Sequence, residues 1–175
     1  MKNALIPILG FAAASGTGKT TLLTQLIPVL RKHNIRVGLI KHSHHNFQID
    51  KPEKDSFRLR EAGATPVMLV SSHRRAIITE FPKPQEPTLD EQLGYFDQSQ
   101  LDLILVEGFK REQFPKIELH RVELEQPLRY PEDNSIIAIA SNQPIALARE
   151  LMPLDLNNIP QIAHFILHIF LKNDD

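Results

Sequence analysis

The apolar positions of the chain alternate between two periods. Leu5 to Ala13 is a nearly continuous apolar run, broken only by Pro7 and Gly10, and reads as a strand. Leu22, Leu23, Leu26, Ile27 and Leu30 then fall on one helical face, which predicts a helix from about Gly18 to His33 with Asn34 as a left-handed cap. Pro28 lies inside it and removes the hydrogen bond to the Thr24 carbonyl, costing roughly 3 kcal/mol or kinking the helix. Ile35 to Ile40 reads as a second short strand. Two apolar strands joined by a helix predict a right-handed βαβ unit with a parallel sheet.

Further on, Asp55 is placed to N-cap a helix through Phe57 and Leu59 to Ala62, stopped by Gly63. Thr65 to Val70 and Ala76 to Phe81 are strand-like runs that form a hairpin or neighbour each other in the sheet. Phe81 to Pro87 is proline-rich and reads as a stiff linker rather than a domain boundary. A short helix follows over Thr88 to Phe96, with Leu89, Leu93 and Phe96 on one side. Leu101 to Glu107 carries consecutive apolar residues between polar ends, the mark of a fully buried strand. Pro115 to Arg121 alternates apolar with polar, which predicts an edge or half-exposed strand. Glu123 to Asn134 is polar and reads as a mobile surface loop. Ser135 to Ala140 is another buried strand, ending in Ser141, Asn142, Gln143 and Pro144. Asn157 and Asn158 can cap a terminal helix whose apolar face is Ile159, Ile162, Phe165, Ile166, Ile169 and Phe170, packed against the sheet.

The chemistry concentrates between the first strand and the first helix. Ser15, Gly16, Thr17, Gly18, Lys19, Thr20 and Thr21 form a glycine-rich turn that opens a helix, the context a phosphate-binding loop requires. The glycines allow backbone angles and close approaches that a Cβ forbids, so loop and helix N–H groups can converge on phosphate oxygens. Lys19 brings a positive charge to the outer phosphates, and the Thr20 hydroxyl can ligate Mg2+. Ala13 stands where the general motif has glycine. The same stretch, with Lys2 before it and Ala12 to Ser15 at its end, also resembles a secretory leader, although a single lysine and the interrupting Pro7 and Gly10 weigh against this.

Other candidates lie at strand ends. Glu107 closes a buried strand, the place of the acidic partner that holds Mg2+ directly or through water, and Gly108 can bring a backbone N–H near the terminal phosphate. Asp50 can serve Mg2+ through a water or orient an attacking water; it also reads as a turn residue before Pro52. His42, His44 and His45 invite a metal reading, yet lack cysteine partners and close carboxylates; contact with a ligand or plain solvation competes with it. Arg74 and Arg75 can grip an anion or stay solvated at a turn. The loop at Ser141 and Asn142 follows a late strand, where many nucleotide-binding domains read the base.

Composition narrows the class. The 175 residues suffice for one domain with its own core, 1–175, and the formal net charge of −1 implies no bulk attraction to nucleic acid or membrane. Cysteine is absent, which excludes disulfides and thiolate metal sites and suits a cytoplasmic setting. No apolar run approaches the ~20 residues needed to span a bilayer.

Taken together and in order, Phe11 to Thr21, Gly38 to His42 with His44 and His45, Asp50 to Pro52, Lys54 to Ser56, and Leu101 to Lys110 resemble the MobB family of molybdopterin-guanine dinucleotide biosynthesis adaptor proteins. The likeness runs from the first strand to the terminal helix, and Ala13 looks like the family's own form of the loop. The resemblance implies an α/β fold: a P-loop NTPase three-layer sandwich with a mostly parallel central sheet and an added β-hairpin or edge region. It implies GTP with Mg2+ as cofactors, a homodimer, and an accessory role beside the guanylyltransferase MobA, which joins GMP to molybdopterin. Molybdopterin itself is a further candidate ligand. One position departs: Asn142 stands where aspartate is expected. Aspartate accepts from both guanine N–H groups, whereas asparagine offers one acceptor oxygen and a donor, which leaves guanine selectivity at this position open.

The leading expectation is a GTP- and Mg2+-binding adaptor with weak GTPase activity, in which Lys19, Glu107 and Asp50 carry any chemistry. A small-molecule kinase, with Arg58, Arg60, Arg74 and Arg75 as the candidate basic lid, and a metal-handling GTPase using His42, His44 and His45 are the competing readings.

Overall fold

The apolar run at the front of the chain becomes β1 (Ile8–Ala13), buried at all six positions. The computed structural model describes residues 1–43 and 46–172, so two of the three candidate metal-binding histidines, His44 and His45, lie outside the described residues. After β1 come α1 (Lys19–Lys32) and β2 (Val37–Lys41), then α2 (Asp55–Glu61), β3 (Val67–Val70) and β4 (Arg75–Ile78). The remaining elements are α3 (Leu89–Tyr95), β5 (Leu103–Glu107), β6 (Lys116–His120), β7 (Ile136–Ser141), β8 (Met152–Asp155) and α4 (Ile159–His164). The last helix continues as a π-helical segment, Phe165–Phe170. The chain forms two compact units, one of Met1–His42 with Thr88–Asp175 and one of Ser43–Pro87.

The first unit is built on a six-stranded sheet ordered β2-β5-β1-β6-β7-β8, and every pairing in it is parallel. The period-2 geometry of a strand sends alternate side chains to opposite faces. Leu9, Phe11, Ala13, Leu103, Leu105, Ile117 and Leu119 therefore pack on one side with Leu22, Leu23, Leu26 and Leu30 of α1 and with Ile162 and Ala163 of α4. Ile8, Ile104 and Val106 point the other way and pack with Leu89 and Leu93 of α3. The result is the three-layer α/β arrangement expected from sequence. Each fully buried leucine stabilises it by about 1.5–3 kcal/mol relative to exposure. Pro28 is accommodated within α1, and Asn34 takes φ 61, the left-handed conformation predicted for it. Thr88 caps α3 through a reciprocal capping box with Glu91.

Several expectations need correction. The strand over residues 116–120 is neither an edge nor half-exposed: β6 lies between β1 and β7, with Lys116 and Glu118 almost wholly buried. Its alternation records two buried charges, each with partners. Lys116 Nζ donates to Asp133 Oδ2 (3.0 Å), to Ser135 Oγ (2.6 Å) and to the Glu112 carbonyl. Glu118 accepts the backbone N–H groups of Arg129 and Tyr130 at 2.7 and 2.9 Å. Those bonds tie down the loop after β6, which sequence alone reads as mobile, and Tyr130 within it is buried. The edge strands are β2 and β8; β8 is too short and too interrupted by Pro153 to stand out in the sequence, and a proline at a sheet edge costs no ladder bond. Lys54, not Asp55, is the N-cap of α2, with Asp55 in the first helical turn. Asn158 does cap α4, accepting from the Gln161 N–H. Because a π-helix turns more slowly than 3.6 residues predict, Leu167 becomes buried while Ile169 is 46% exposed.

The second unit holds α2 and the antiparallel pair β3–β4, with Val67 opposite Ile78 and Val70 opposite Arg75. The predicted hairpin is thus a two-stranded sheet of its own. Its charged centre is Arg60, paired with Asp50 at 3.1 Å and with Glu80. Gly63 terminates α2 at φ 104, as expected. No helix among the described residues is long and apolar enough to cross a membrane.

Candidate functional site

The buried backbone of β1 ends at Ala13 and delivers the chain to a turn over residues 14–18 at the carboxyl edge of the sheet. Gly18 has φ 97 and serves as the N-cap of α1, a left-handed conformation that a side chain would strain. Thr17 is buried, and its hydroxyl donates to the Ala14 carbonyl at 2.9 Å, holding the turn closed. Lys19 Nζ donates to the same carbonyl at 3.0 Å and reaches that of Ala13 at 3.4 Å. The ammonium therefore folds over its own loop. Ser15, Gly16, Thr20 and Thr21 are exposed around it.

Positive charge converges on this turn. Burial holds the Lys19 ammonium below the ordinary lysine range; Lys110, Lys41 and Arg129 push the same way, and Glu107 opposes them. A polyanion placed here would relieve that repulsion. Glu107 stands at the end of β5 opposite Phe11 of β1 and Lys41 of β2. Its carboxylate pairs with Lys41 Nζ at 3.3 Å and stays mostly buried. It is the acid that sequence placed beside the loop.

Gly108 follows at φ 110, and a Cβ there would come within 2.6 Å of the His42 Cβ. The His42 N–H donates to the Glu107 carbonyl at 2.8 Å, and its ring stacks on Phe109 at 4.7 Å. His42 is thus packed against the strand end that carries Glu107. Among the described residues no group of three His, Cys, Asp or Glu side chains is placed to hold a metal ion. Asp50 belongs to the second unit, where its Oδ1 accepts from Arg60. Arg60 is committed to that pair and to Glu80, while Arg74 and Arg75 are exposed at the hairpin turn.

One further residue bears on the loop. Arg121, just past β6, donates through Nε to the Thr17 carbonyl at 3.0 Å. It also lines a cleft of about 460 Å³ with Ala14, Thr17, Lys110, Arg111 and Arg129. A basic residue at the carboxyl end of a parallel strand was the signal; reading that strand as an edge hid it. At the end of β7, Val122 donates its N–H to Asn142 Oδ1 at 3.1 Å. Asn142 Nδ2 in turn donates to both oxygens of Glu123, at 2.6 and 2.8 Å. The Glu123 carboxyl is held below its ordinary range, first by its own backbone N–H and also by Asn142 and the charge of Arg121. Ser141 Oγ accepts from the Gln143 N–H at 3.4 Å. Ser141, Asn142, Asp155 and Gln161 line a second cavity of about 380 Å³.

Residues 8–142 match the family model described as molybdopterin guanine dinucleotide synthesis protein B. The chain belongs to the MobB family. It is 53% identical over 172 residues to a molybdopterin-guanine dinucleotide biosynthesis adapter protein of Haemophilus influenzae, covering 96% of this chain and 93% of that one. The protein of the same name from Escherichia coli is 46% identical, covering 98% of each chain. Among solved structures, a molybdopterin-guanine biosynthesis protein B superposes with a TM-score of 0.71 at 24% identity, covering 93% of this chain and 99% of the other. A Bacillus subtilis MobB superposes with a TM-score of 0.73 at 19% identity, covering 93% and 96%. At these identities the MobB structures speak for the fold.

Proposed function

We propose that this chain is an adaptor in molybdopterin-guanine dinucleotide biosynthesis that binds GTP with Mg2+ at its phosphate loop. The observation that carries the nucleotide reading is the Lys19 ammonium, folded onto the Ala13 and Ala14 carbonyls within a field of like charge. A polyphosphate would draw that ammonium off its own loop and onto the outer phosphates, while the amides after Gly18 meet the remaining oxygens. Thr20 and Glu107 would hold Mg2+, which when bound neutralises charge on the phosphates. Glu107 would release Lys41 as it did so.

Arg121 braces the turn through its Nε–H, and swinging its guanidinium onto a transferring phosphoryl group would break that bond. GTP turnover is therefore slow, and the protein acts by carrying nucleotide to a partner. The adapter names of the relatives support the guanylyltransferase MobA as that partner. The expected assembly is a homodimer. Lys19→Ala tests the site: triphosphate binding should vanish in calorimetry while the thermal midpoint stays within a few degrees. Unchanged GTP affinity would overturn the assignment.

A further inference from the structure

Asn142 follows a late parallel strand, and both its amide oxygen and its amide nitrogen already have partners in the protein. Oδ1 accepts from the Val122 N–H, and Nδ2 donates to Glu123. What this arrangement fixes in space is the Glu123 carboxylate, on an exposed residue whose only neighbours in sequence are the turn that follows β6. The sheet order β1-β6-β7 puts the end of β7 two strands from the phosphate loop, a step of about 10 Å. A nucleotide with its phosphates on the loop would cross β6 near Arg121 and bring its base over the end of β7. Ligands of open parallel sheets lie along this carboxyl edge.

Resting on the nucleotide reading above, we propose that Glu123 is the residue that selects guanine, with Asn142 as the positioning residue that aims it. Guanine presents N1–H and N2–H donors side by side, and a carboxylate meets both with charge-assisted bonds. Adenine presents an acceptor, N1, at the same place, which a carboxylate repels. An ionised carboxylate has about four acceptor sites. Asn142 uses two of them, and the Glu123 backbone N–H and the Gln143 side chain draw on the same oxygens, so a guanine edge would take the place of the Gln143 amide. A carboxylate from the neighbouring loop would thus do what the amide of Asn142 cannot.

Asp155 is the competing acid. It ends β8 opposite Ser141 and lines the cavity beside Asn142, but its Oδ1 is turned back to accept the Asn157 N–H at 2.8 Å.

The test is calorimetric titration of the full chain with GTP, ATP and XTP in the presence of Mg2+. Glu123→Gln should cut the preference for GTP over ATP by about 10- to 100-fold, the loss of charged hydrogen bonds. It should also favour XTP, whose 2-oxo group accepts from the new amide. Asn142→Ala should erode the GTP preference to a smaller extent, and Asp155→Asn should leave the ratio of affinities in place. An unchanged ratio in Glu123→Gln, or a collapse of the ratio in Asp155→Asn, overturns the assignment. Lys19-dependent binding that ignores the base overturns Glu123 alone, whereas absence of Lys19-dependent binding overturns the nucleotide reading and this inference together.

Discussion

The Arg121 guanidinium donates to the Thr17 carbonyl oxygen, joining the end of one central strand to the glycine-rich loop across 104 residues of chain. The bond fixes the last peptide before Gly18, where the backbone turns into its left-handed conformation and α1 begins. Preorganisation of this kind lowers the ordering cost of a ligand. Arg121→Met keeps most of the side chain's length and removes the donor. Nucleotide affinity should fall about tenfold, equivalent to one hydrogen bond to a charged group. Equal affinities in calorimetry would show that the loop holds its shape unaided.

Gly108 has two independent reasons to lack a side chain: its φ of 110 and the His42 Cβ that an added methyl would strike at 2.6 Å. Gly108→Ala must shift either the His42 backbone, which is bonded to Glu107, or the turn itself. A loss of about 1–3 kcal/mol is expected from urea denaturation. The midpoint should move without a change in slope. Full stability in the variant would refute the steric account.

Much of this architecture was legible because its apolar periods are long. Leu22 to Leu30 announced α1 and Leu103 to Val106 announced a buried strand, and both elements form where the pattern placed them. The glycine-rich turn before α1 was legible for a different reason: its glycines are tied to backbone geometry, not to tertiary partners. What sequence hid is polar burial. Lys116 and Glu118 look like the wet side of an edge strand because a periodicity argument cannot see Asp133, Ser135, or the N–H groups of Arg129 and Tyr130 arriving from a later loop. The same blindness concealed the tie between Asn142 and Glu123, 19 residues apart.

Lys116 makes that polar burial testable. Burial alone would raise the Asp133 carboxyl, yet the bonds from Ser135 and Lys116 outweigh it and hold the group below its ordinary range. Removing the ammonium leaves Asp133 charged without its cationic partner, and takes from the Glu112 carbonyl the bond it accepts from Nζ. Lys116→Met should therefore destabilise the protein by about 3–5 kcal/mol. The double variant Lys116→Met with Asp133→Asn should recover part of that loss, since no unpaired charge remains. Additive losses in the double variant would contradict the pairing.

Acid unfolding offers a check with a defined sign. Asp102 receives the Arg36 backbone N–H at 2.8 Å, its Nε–H at 2.9 Å, and a further guanidinium N–H at 2.7 Å, a clamp at the amino ends of β2 and β5. Those bonds pull the carboxyl down to about 2, below the value of about 3.9 expected in an unfolded chain. Because the folded pKa is the lower one, the clamp contributes its full stability above about pH 4 and loses it as the pH falls towards 2. The pair is 53% and 35% exposed at its side chains, so solvent screening keeps the contribution small. Asp102→Asn should lower stability slightly at neutral pH and flatten the fall between pH 4 and 2, as measured by denaturant midpoints across that interval. Parallel curves for the two proteins would mean that Arg36 gains nothing from the ionised carboxylate, and that the backbone bond from Asp102 to the Arg36 carbonyl alone registers the strand ends.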